Sequence, residues 1–308
     1  MNPTLVTSYP NPDLDAVAGV IAYAEFLHKT GKKATVGIVG EPHDEAKYVL
    51  DRFAITYPQT TLDNRGGFDE VVLVDASDVG DLEGKVALEK VVEIIDHRKV
   101  NEADKFPKAK VQIELVGAAA TLIAERFMQN EIDISKAAAT LLYAAIISNT
   151  LNFKGSITTD RDKEAAAWLN QIAELPQDFS KDLFAAKSNL PGKKLVERVR
   201  GDFKEFTMGG KKVGIAQVEI IGAKNLLDER SEEVVQELGR MKEEMGLDFI
   251  FQNTVELEDN KNFFVVCDPD TKELLERALG VGFIDSVAER PGLILRKQIV
   301  PLLMQELQ

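Results

Sequence analysis

Val71-Val72-Leu73-Val74-Asp75 is four apolar residues, three of them β-branched, running into one carboxylate. Val91-Val92-Glu93-Ile94-Ile95-Asp96 repeats the arrangement further along the chain. Continuous apolar runs of this length suit strands covered on both faces, as in a parallel sheet. Residues 5–8, 34–39 and 111–115 read as further strands. Helices read at residues 16–30, 45–53, 117–129, 134–147 and 159–174. The first carries an apolar stripe of Val17, Val20, Ile21, Ala24 and Leu27 and stops at Gly31. The last opens with Thr159 and Asp162 in a capping-box pattern. Strands alternating with helices predict a doubly wound α/β domain built on a parallel sheet.

At 308 residues the chain is long enough for two domains. Ser188-Asn189-Leu190-Pro191-Gly192, followed by two lysines, is turn-rich and marks the boundary. We therefore expect one domain over 1–188, a linker over 189–194 and a second domain over 195–308. In the second, Gly209-Gly210 separates two strands, 203–208 and 213–221, as a β-hairpin. A helix at 229–245, strands at 248–254 and 263–267, and a helix at 271–279 follow. An apolar strand at 292–295 leads into a last helix at 298–306. This is a smaller α/β domain.

The net charge is −14, from 51 acidic against 37 basic residues. Such a surface repels nucleic-acid backbones, so a nucleic-acid polymer is not an expected partner. The lone cysteine, Cys267, excludes an internal disulfide and a thiolate zinc site, and fits a reducing compartment. The longest apolar stretch, 137–147, is far short of the roughly 20 residues that span a bilayer. A cytoplasmic protein without membrane attachment is expected.

Carboxylates stand where open α/β sheets place ligands, at the ends of strands. Asp13 and Asp15 follow the first strand, Asp75 ends another, and Asp96 ends a third beside His97 and Arg98. Oxygen ligands with one imidazole suit Mg²⁺ or Mn²⁺. Asp is also a frequent helix N-cap, and Asp15 can serve as the cap of the helix that follows.

Pro12-Asp13-Leu14-Asp15, the strand ending in Asp75, and Ile95-Asp96-His97-Arg98 resemble the ordered motifs of DHH phosphoesterases. The segment from Ser148-Asn149-Thr150-Leu151 to Asp160 is similar to one in manganese-dependent, family II inorganic pyrophosphatases. Leu295-Arg296-Lys297-Gln298 is similar to the end of their DHHA2 domain, and Lys204 sits where they have a substrate-binding lysine. The resemblance implies a metal-dependent phosphoanhydride hydrolase with its active site in the cleft between a DHH and a DHHA2 domain. It implies metal ligands Asp13, Asp15, Asp75, His97 and Asn149, with Asp75 bridging two ions and Asp96 in a supporting role. Arg98, Asp75 and Asn149 are the implied catalytic residues. Arg98, Lys99, Lys204, Arg296 and Lys297 are the implied substrate-binding residues. Mn²⁺ is the implied cofactor, with Mg²⁺ or Co²⁺ accepting the same ligands and one or two ions bound. Pyrophosphate, polyphosphate or another small phosphorylated ligand is the implied partner, and a homodimer is the family's assembly.

The departures bear on activity. Ser8-Tyr9 replaces the family's Gly-His, and Asn149 replaces an Asp. Arg98 replaces a second His that protonates the leaving group, as in prune-like exopolyphosphatases, and Leu295 replaces an Arg. An amide brings no charge to a metal, and a guanidinium donates no proton but grips phosphate. The chain therefore reads as a hydrolase, pyrophosphatase-like or exopolyphosphatase-like. The alternative is a degenerate member that binds metal and a phosphate-rich ligand with little hydrolysis. A nuclease is disfavoured, since nuclease members carry a different, glycine-rich C-terminal domain. Elsewhere, His28 reads as a helix-end histidine, His43 as surface, Tyr143, Trp168 and Cys267 as buried, and residues 256–259 as a solvated hairpin. Lys154 and Arg161 flank the Asn149 motif, where they face either phosphate or solvent.

Overall fold

The structure, a computed structural model, describes residues 3–57, 67–82, 84 and 86–307. It divides into two compact units, Met1–Ala186 and Lys187–Gln308.

In the first unit β1 (Thr4–Thr7), β2 (Ala34–Gly37), β3 (Val71–Val74), β4 (Val91–Asp96) and β5 (Lys110–Ile113) form an all-parallel sheet in the order β2-β1-β3-β4-β5. The order reverses direction between β1 and β3, which places a ligand-binding crevice beyond their C-terminal ends. One face buries Leu5, Val71, Leu73, Val91 and Ile94 beneath Leu82, Val86, Ala103 and Phe106. That cover comes from irregular chain with 3₁₀ turns at Val79–Leu82, Leu88–Lys90 and Ala103–Lys105. The helices are α1 (Leu14–Lys29), α2 (Asp44–Arg52), α3 (Ala119–Gln129), α4 (Lys136–Asn149), α5 (Asp160–Ala173) and α6 (Phe179–Lys187). α1 packs on β1, β2 and β3 and also on α3 and α4. It is therefore sandwiched, and Ala18, Ala22 and Ala24 are buried beside its larger apolar residues. The Thr159–Asp162 capping box is present at the start of α5.

In the second unit β6 (Phe203–Met208), β7 (Lys211–Ile220), β8 (Phe249–Glu256), β9 (Lys261–Val266), β10 (Phe283–Ile284) and β11 (Val287–Pro291) form one sheet in the order β10-β11-β9-β8-β7-β6. β7 and β8 pair in parallel, and the other neighbours are antiparallel. The parallel step needs a crossover, supplied by α8 (Ala223–Met245). α7 (Lys194–Gly201) and α8 cover one face, α9 (Pro269–Leu279) and α10 (Arg296–Glu306) the other. The Gly209-Gly210 turn joins β6 to β7 with φ of +54° and +76°. A Cβ on Gly209 would stand 1.7 Å from the Leu307 carbonyl oxygen, so the close approach admits only glycine.

Several readings need correction. α6, α7, β10 and β11 lie outside the elements that the sequence pattern predicts, and residues 292–295 are not a strand. Glu256 is not a solvated hairpin residue: it is buried and accepts the Ala223 N–H at the start of α8 over 2.6 Å. Tyr143, Trp168 and Cys267 are half-buried rather than fully buried. Among the described residues no helix is long and apolar enough to cross a membrane.

Candidate metal centre

Asp13, not Asp15, caps α1. Its Oδ1 accepts the Ala16 N–H over 3.0 Å, and its backbone is extended. Asp15 lies inside the first turn, fully buried. Its carboxylate receives the Ala119 and Ala120 N–H groups at 2.7 and 2.8 Å, at the start of α3. A helix N-terminus is the place where a buried carboxylate is best tolerated. Asn149, the last residue of α4, donates its side-chain N–H to Asp15 Oδ2 over 2.9 Å. Three successive non-glycine residues, Leu151, Asn152 and Phe153, then take left-handed φ of 53°, 52° and 67°. Such backbone costs about 1–2 kcal/mol per residue, and it ends the helix sharply behind Asn149.

Asp75 leaves β3 with φ of +52°, another left-handed residue. Its backbone N–H is held by the Ile95 carbonyl over 2.8 Å. Asp96, fully buried, accepts the Ser77 hydroxyl and the backbone N–H groups of His97 and Arg98. That clasp fixes the turn after β4. His97 Nδ1 lies 3.0 Å from the Val116 carbonyl oxygen. With the Nδ1 proton donated there, the Nε2 lone pair is left for a metal. Nε2 lies 3.4 Å from Asp75 Oδ1 and 3.7 Å from Asp15 Oδ2. Asp15, Asp75 and His97 each offer a ligand atom, all within 4.8 Å of one another.

The electrostatics match a site built for a cation. Burial pushes the Asp15 carboxyl well up, and the Asp75 charge adds to it. Burial raises Asp75 to about 6 against the opposing pull of His97. For His97 burial acts downward, but the hydrogen bond and charge of Asp75 and the charge of Asp15 win and hold it near 10. Two buried carboxylates thus share the charge of one imidazolium, and a divalent ion relieves their repulsion better than a proton does. The donor set, two carboxylates and one imidazole, fits Mn²⁺.

Tyr9 and Arg98 border this group. The Tyr9 hydroxyl donates to Asp75 Oδ2 over 3.4 Å and accepts the Asp13 N–H over 3.3 Å. Burial, with the Asp13 and Asp75 charges, keeps the phenol protonated. The Arg98 guanidinium lies over the Tyr9 ring, 5.4 Å from its centroid. It donates to the Asp75 carbonyl over 2.8 Å and to Asp81 over 3.3 Å. Asp81, whose carboxylate also accepts the Ser77 and Asp78 N–H groups, belongs to none of the motifs above. The Val116 carbonyl and the α3 amides are backbone groups without a sequence signature.

The remaining site residues lie elsewhere. Asp13, read as a ligand, is outside the three-residue group. Lys99 is exposed. Arg161 does not face phosphate; it forms ion pairs with Glu114 and Glu125 at 2.7 and 2.6 Å. In the second unit Lys204 is exposed on β6. Arg296 opens α10 with its N–H on Gln217 Oε1, and its guanidinium binds the Asp202 and Ile215 carbonyls and the Asp202 carboxylate. Buried Asn253 and Asn262 hold the Ile294 carbonyl at 3.0 and 2.7 Å, which anchors the start of that helix. Lys297 follows on its first turn.

Comparison with known proteins agrees with this arrangement. The DHH family N-terminal domain model matches residues 3–146, and the DHHA2 domain model matches residues 181–306. A Bacillus licheniformis protein named a probable manganese-dependent inorganic pyrophosphatase is 33% identical over the full length of both chains. The manganese-dependent inorganic pyrophosphatase of Methanothrix thermoacetophila is also 33% identical, over 96% of each chain. Among solved structures, a Methanococcus jannaschii protein provisionally assigned to family II inorganic pyrophosphatase is 31% identical, with a TM-score of 0.77 over 98% of each chain.

Proposed function

The chain belongs to the DHH/DHHA2 phosphoesterase family that includes the manganese-dependent inorganic pyrophosphatases, and on that premise we propose that it hydrolyses phosphoanhydrides. The observation that carries the proposal is the convergence of Asp15, Asp75 and His97 at the C-terminal edge of a parallel sheet. Asp15, Asp75 and His97 would hold Mn²⁺ there, and when bound it would supply Lewis acidity toward water and phosphoryl oxygens. Asp15 and Asp75 orient toward the ion's place, and His97 presents Nε2 because Val116 fixes its other nitrogen. Arg98 is the catalytic cation: it grips phosphoryl oxygens and neutralises charge developing on them. Asn149 steadies Asp15. Lys99, Lys204 and Lys297 are the proposed substrate-binding groups; the Arg296 guanidinium, engaged by Asp202, shapes the helix start that carries Lys297.

Arg98 also bears on substrate. It remains charged, so it does not protonate a leaving group. Substrates whose leaving group needs no proton, such as tripolyphosphate or a nucleoside triphosphate, are therefore favoured over pyrophosphate. The test is phosphate release from pyrophosphate, tripolyphosphate and ATP, with and without Mn²⁺. Metal-dependent turnover of any of them establishes the enzyme; pyrophosphate turned over much faster than tripolyphosphate would sink the stated preference. A second reading, ligand binding without hydrolysis, draws on Tyr9, Arg98 and Asn149 together. It predicts no release above the Mn²⁺-only control despite bound metal.

A further inference from the structure

The two oxygens of Asp75 face different neighbours. Oδ1 lies 3.4 Å from Nε2 of His97, on the side of Asp15. Oδ2 lies 3.4 Å from the Tyr9 hydroxyl. A second ion bridged by Asp75 requires Oδ2, and the phenol stands against it. The phenol is held in place: its oxygen takes the Asp13 N–H, and the Arg98 guanidinium covers its ring. Arg98 is in turn tied to the Asp75 carbonyl and to Asp81. On that side Asp13 Oδ1 is engaged at the helix cap, and the Asp81 carboxylate is taken by Arg98 and by the Ser77 and Asp78 N–H groups. A neutral phenol is a weak ligand for a hard divalent ion. An ion placed there also meets the fixed positive charge of the guanidinium, which repels it.

We infer that the centre holds a single divalent ion on Asp15, Asp75 and His97, and that the Tyr9–Arg98 stack takes the place of a second ion, its guanidinium serving as the fixed second positive charge. The inference rests on the metal-dependent reading above and names what that reading leaves open. A guanidinium has five N–H donors, and those directed at Asp75 and Asp81 leave others for two oxygens of a phosphoryl group. Unlike an ion, this charge cannot be removed by a chelator. Substrate would then meet one exchangeable cation and one covalently attached cation.

The test is metal stoichiometry, which does not depend on turnover. The protein is dialysed to equilibrium against Mn²⁺, its metal is counted by mass spectrometry, and its electron paramagnetic resonance spectrum is recorded. One ion per chain and the hyperfine sextet of an isolated Mn²⁺ are expected. The double variant Tyr9→His, Arg98→His should take up a second ion, with an affinity within about tenfold of the first, and show an exchange-broadened spectrum. Two ions of similar affinity in the unaltered protein overturn this inference and leave the hydrolase reading standing. No ion in the folded, unaltered protein overturns both. A folded double variant that still holds one ion overturns the role assigned to Tyr9 and Arg98.

Discussion

The side-chain amide of Asn149 donates to Oδ2 of Asp15 over 2.9 Å, joining the end of one helix to the first turn of another. Asn149→Asp replaces this donor with a second carboxylate against a fully buried one. In the metal-free protein the hydrogen bond is lost and like charges meet, so stability should fall by about 2–3 kcal/mol. With Mn²⁺ present the added charge should tighten the ion by about tenfold or more. Urea denaturation of the apo-protein and calorimetric metal titration read the two effects. Equal stability without metal and unchanged affinity with it would refute the account.

The legible part of this fold is the part set by solvent exclusion. Val71–Val74 is a continuous apolar string because both faces of β3 are covered, and β4 keeps that pattern at Val91, Ile94 and Ile95 while Val92 and Glu93 are half-buried. α7 was invisible for the opposite reason: only Leu195 and Val199 are buried, too few to show a period. β10, at the sheet edge, has only two residues, and β11 beside it carries Glu289, Arg290 and Pro291. Within the site, residue types at strand ends pointed to Asp15, Asp75 and His97. An Asp-x-Asp spacing cannot tell which member caps the helix, and local hydrogen bonding chose Asp13. The amides of Ala119 and Ala120 reach Asp15 across more than a hundred residues, a relation that only the folded chain creates.

Asp162 supports the centre without touching it. Its buried carboxylate accepts the Gly117 N–H at 2.9 Å, the Thr121 hydroxyl at 2.6 Å and the Thr159 N–H at 2.7 Å. Gly117 is required there, since a Cβ would lie 2.5 Å from Thr150 and 2.9 Å from Asp162. The segment so held carries the Val116 carbonyl behind His97 and the amides on Asp15. Asp162→Ala should cost about 3 kcal/mol through unsatisfied buried donors and weaken Mn²⁺ binding by about tenfold. Asp162→Asn should fall between that variant and the unaltered protein. Chemical denaturation and metal titration on the same three proteins check the order.

Arg296 and Lys297 are neighbours with different work. The Arg296 side chain is 12% exposed and bound to Asp202 and Ile215, so Arg296→Ala should destabilise the protein by about 2 kcal/mol. Lys297 is exposed on the first turn of the same helix, and partial burial holds its ammonium below the usual value. Lys297→Ala should leave the melting temperature within about 1–2 °C and raise KM for a phosphoanhydride several-fold. Melting curves and steady-state kinetics separate the two. A KM effect confined to Arg296 would reverse the assignment.

Cys267 should be unreactive. Burial pushes its thiol up to about 12, and the adjacent Asp268 carboxylate, 3.5 Å from Sγ, adds to the shift. The nucleophile is the thiolate, which then forms only far above neutral pH. Alkylation by iodoacetamide at pH 8 should run about a hundredfold or more slower than for an unfolded control. Asp268→Asn should speed it. Rapid modification of the native protein at pH 8 would contradict the upward shift of this thiol.

Metal binding should release a proton from His97. Its folded value near 10 exceeds the ordinary 6.5, so most of the apo-protein carries an imidazolium at neutral pH. In the apo-protein that interaction contributes stability fully present below pH about 6.5 and lost as pH rises through 10. Asp75, raised to about 6, is already ionised above pH 7 and takes little part in that range. An ion must displace the His97 proton to reach Nε2, so Mn²⁺ affinity should rise about tenfold per pH unit between pH 7 and 9. Titration calorimetry in buffers of different ionisation enthalpy should count at least one proton released per ion, any excess coming from Asp15, whose carboxyl burial also holds well up. His97→Gln should weaken the ion by about a hundredfold and flatten the pH dependence. An affinity independent of pH in the unaltered protein would mean that His97 does not hold the proton, and with it that Asp15 and Asp75 do not share one imidazolium.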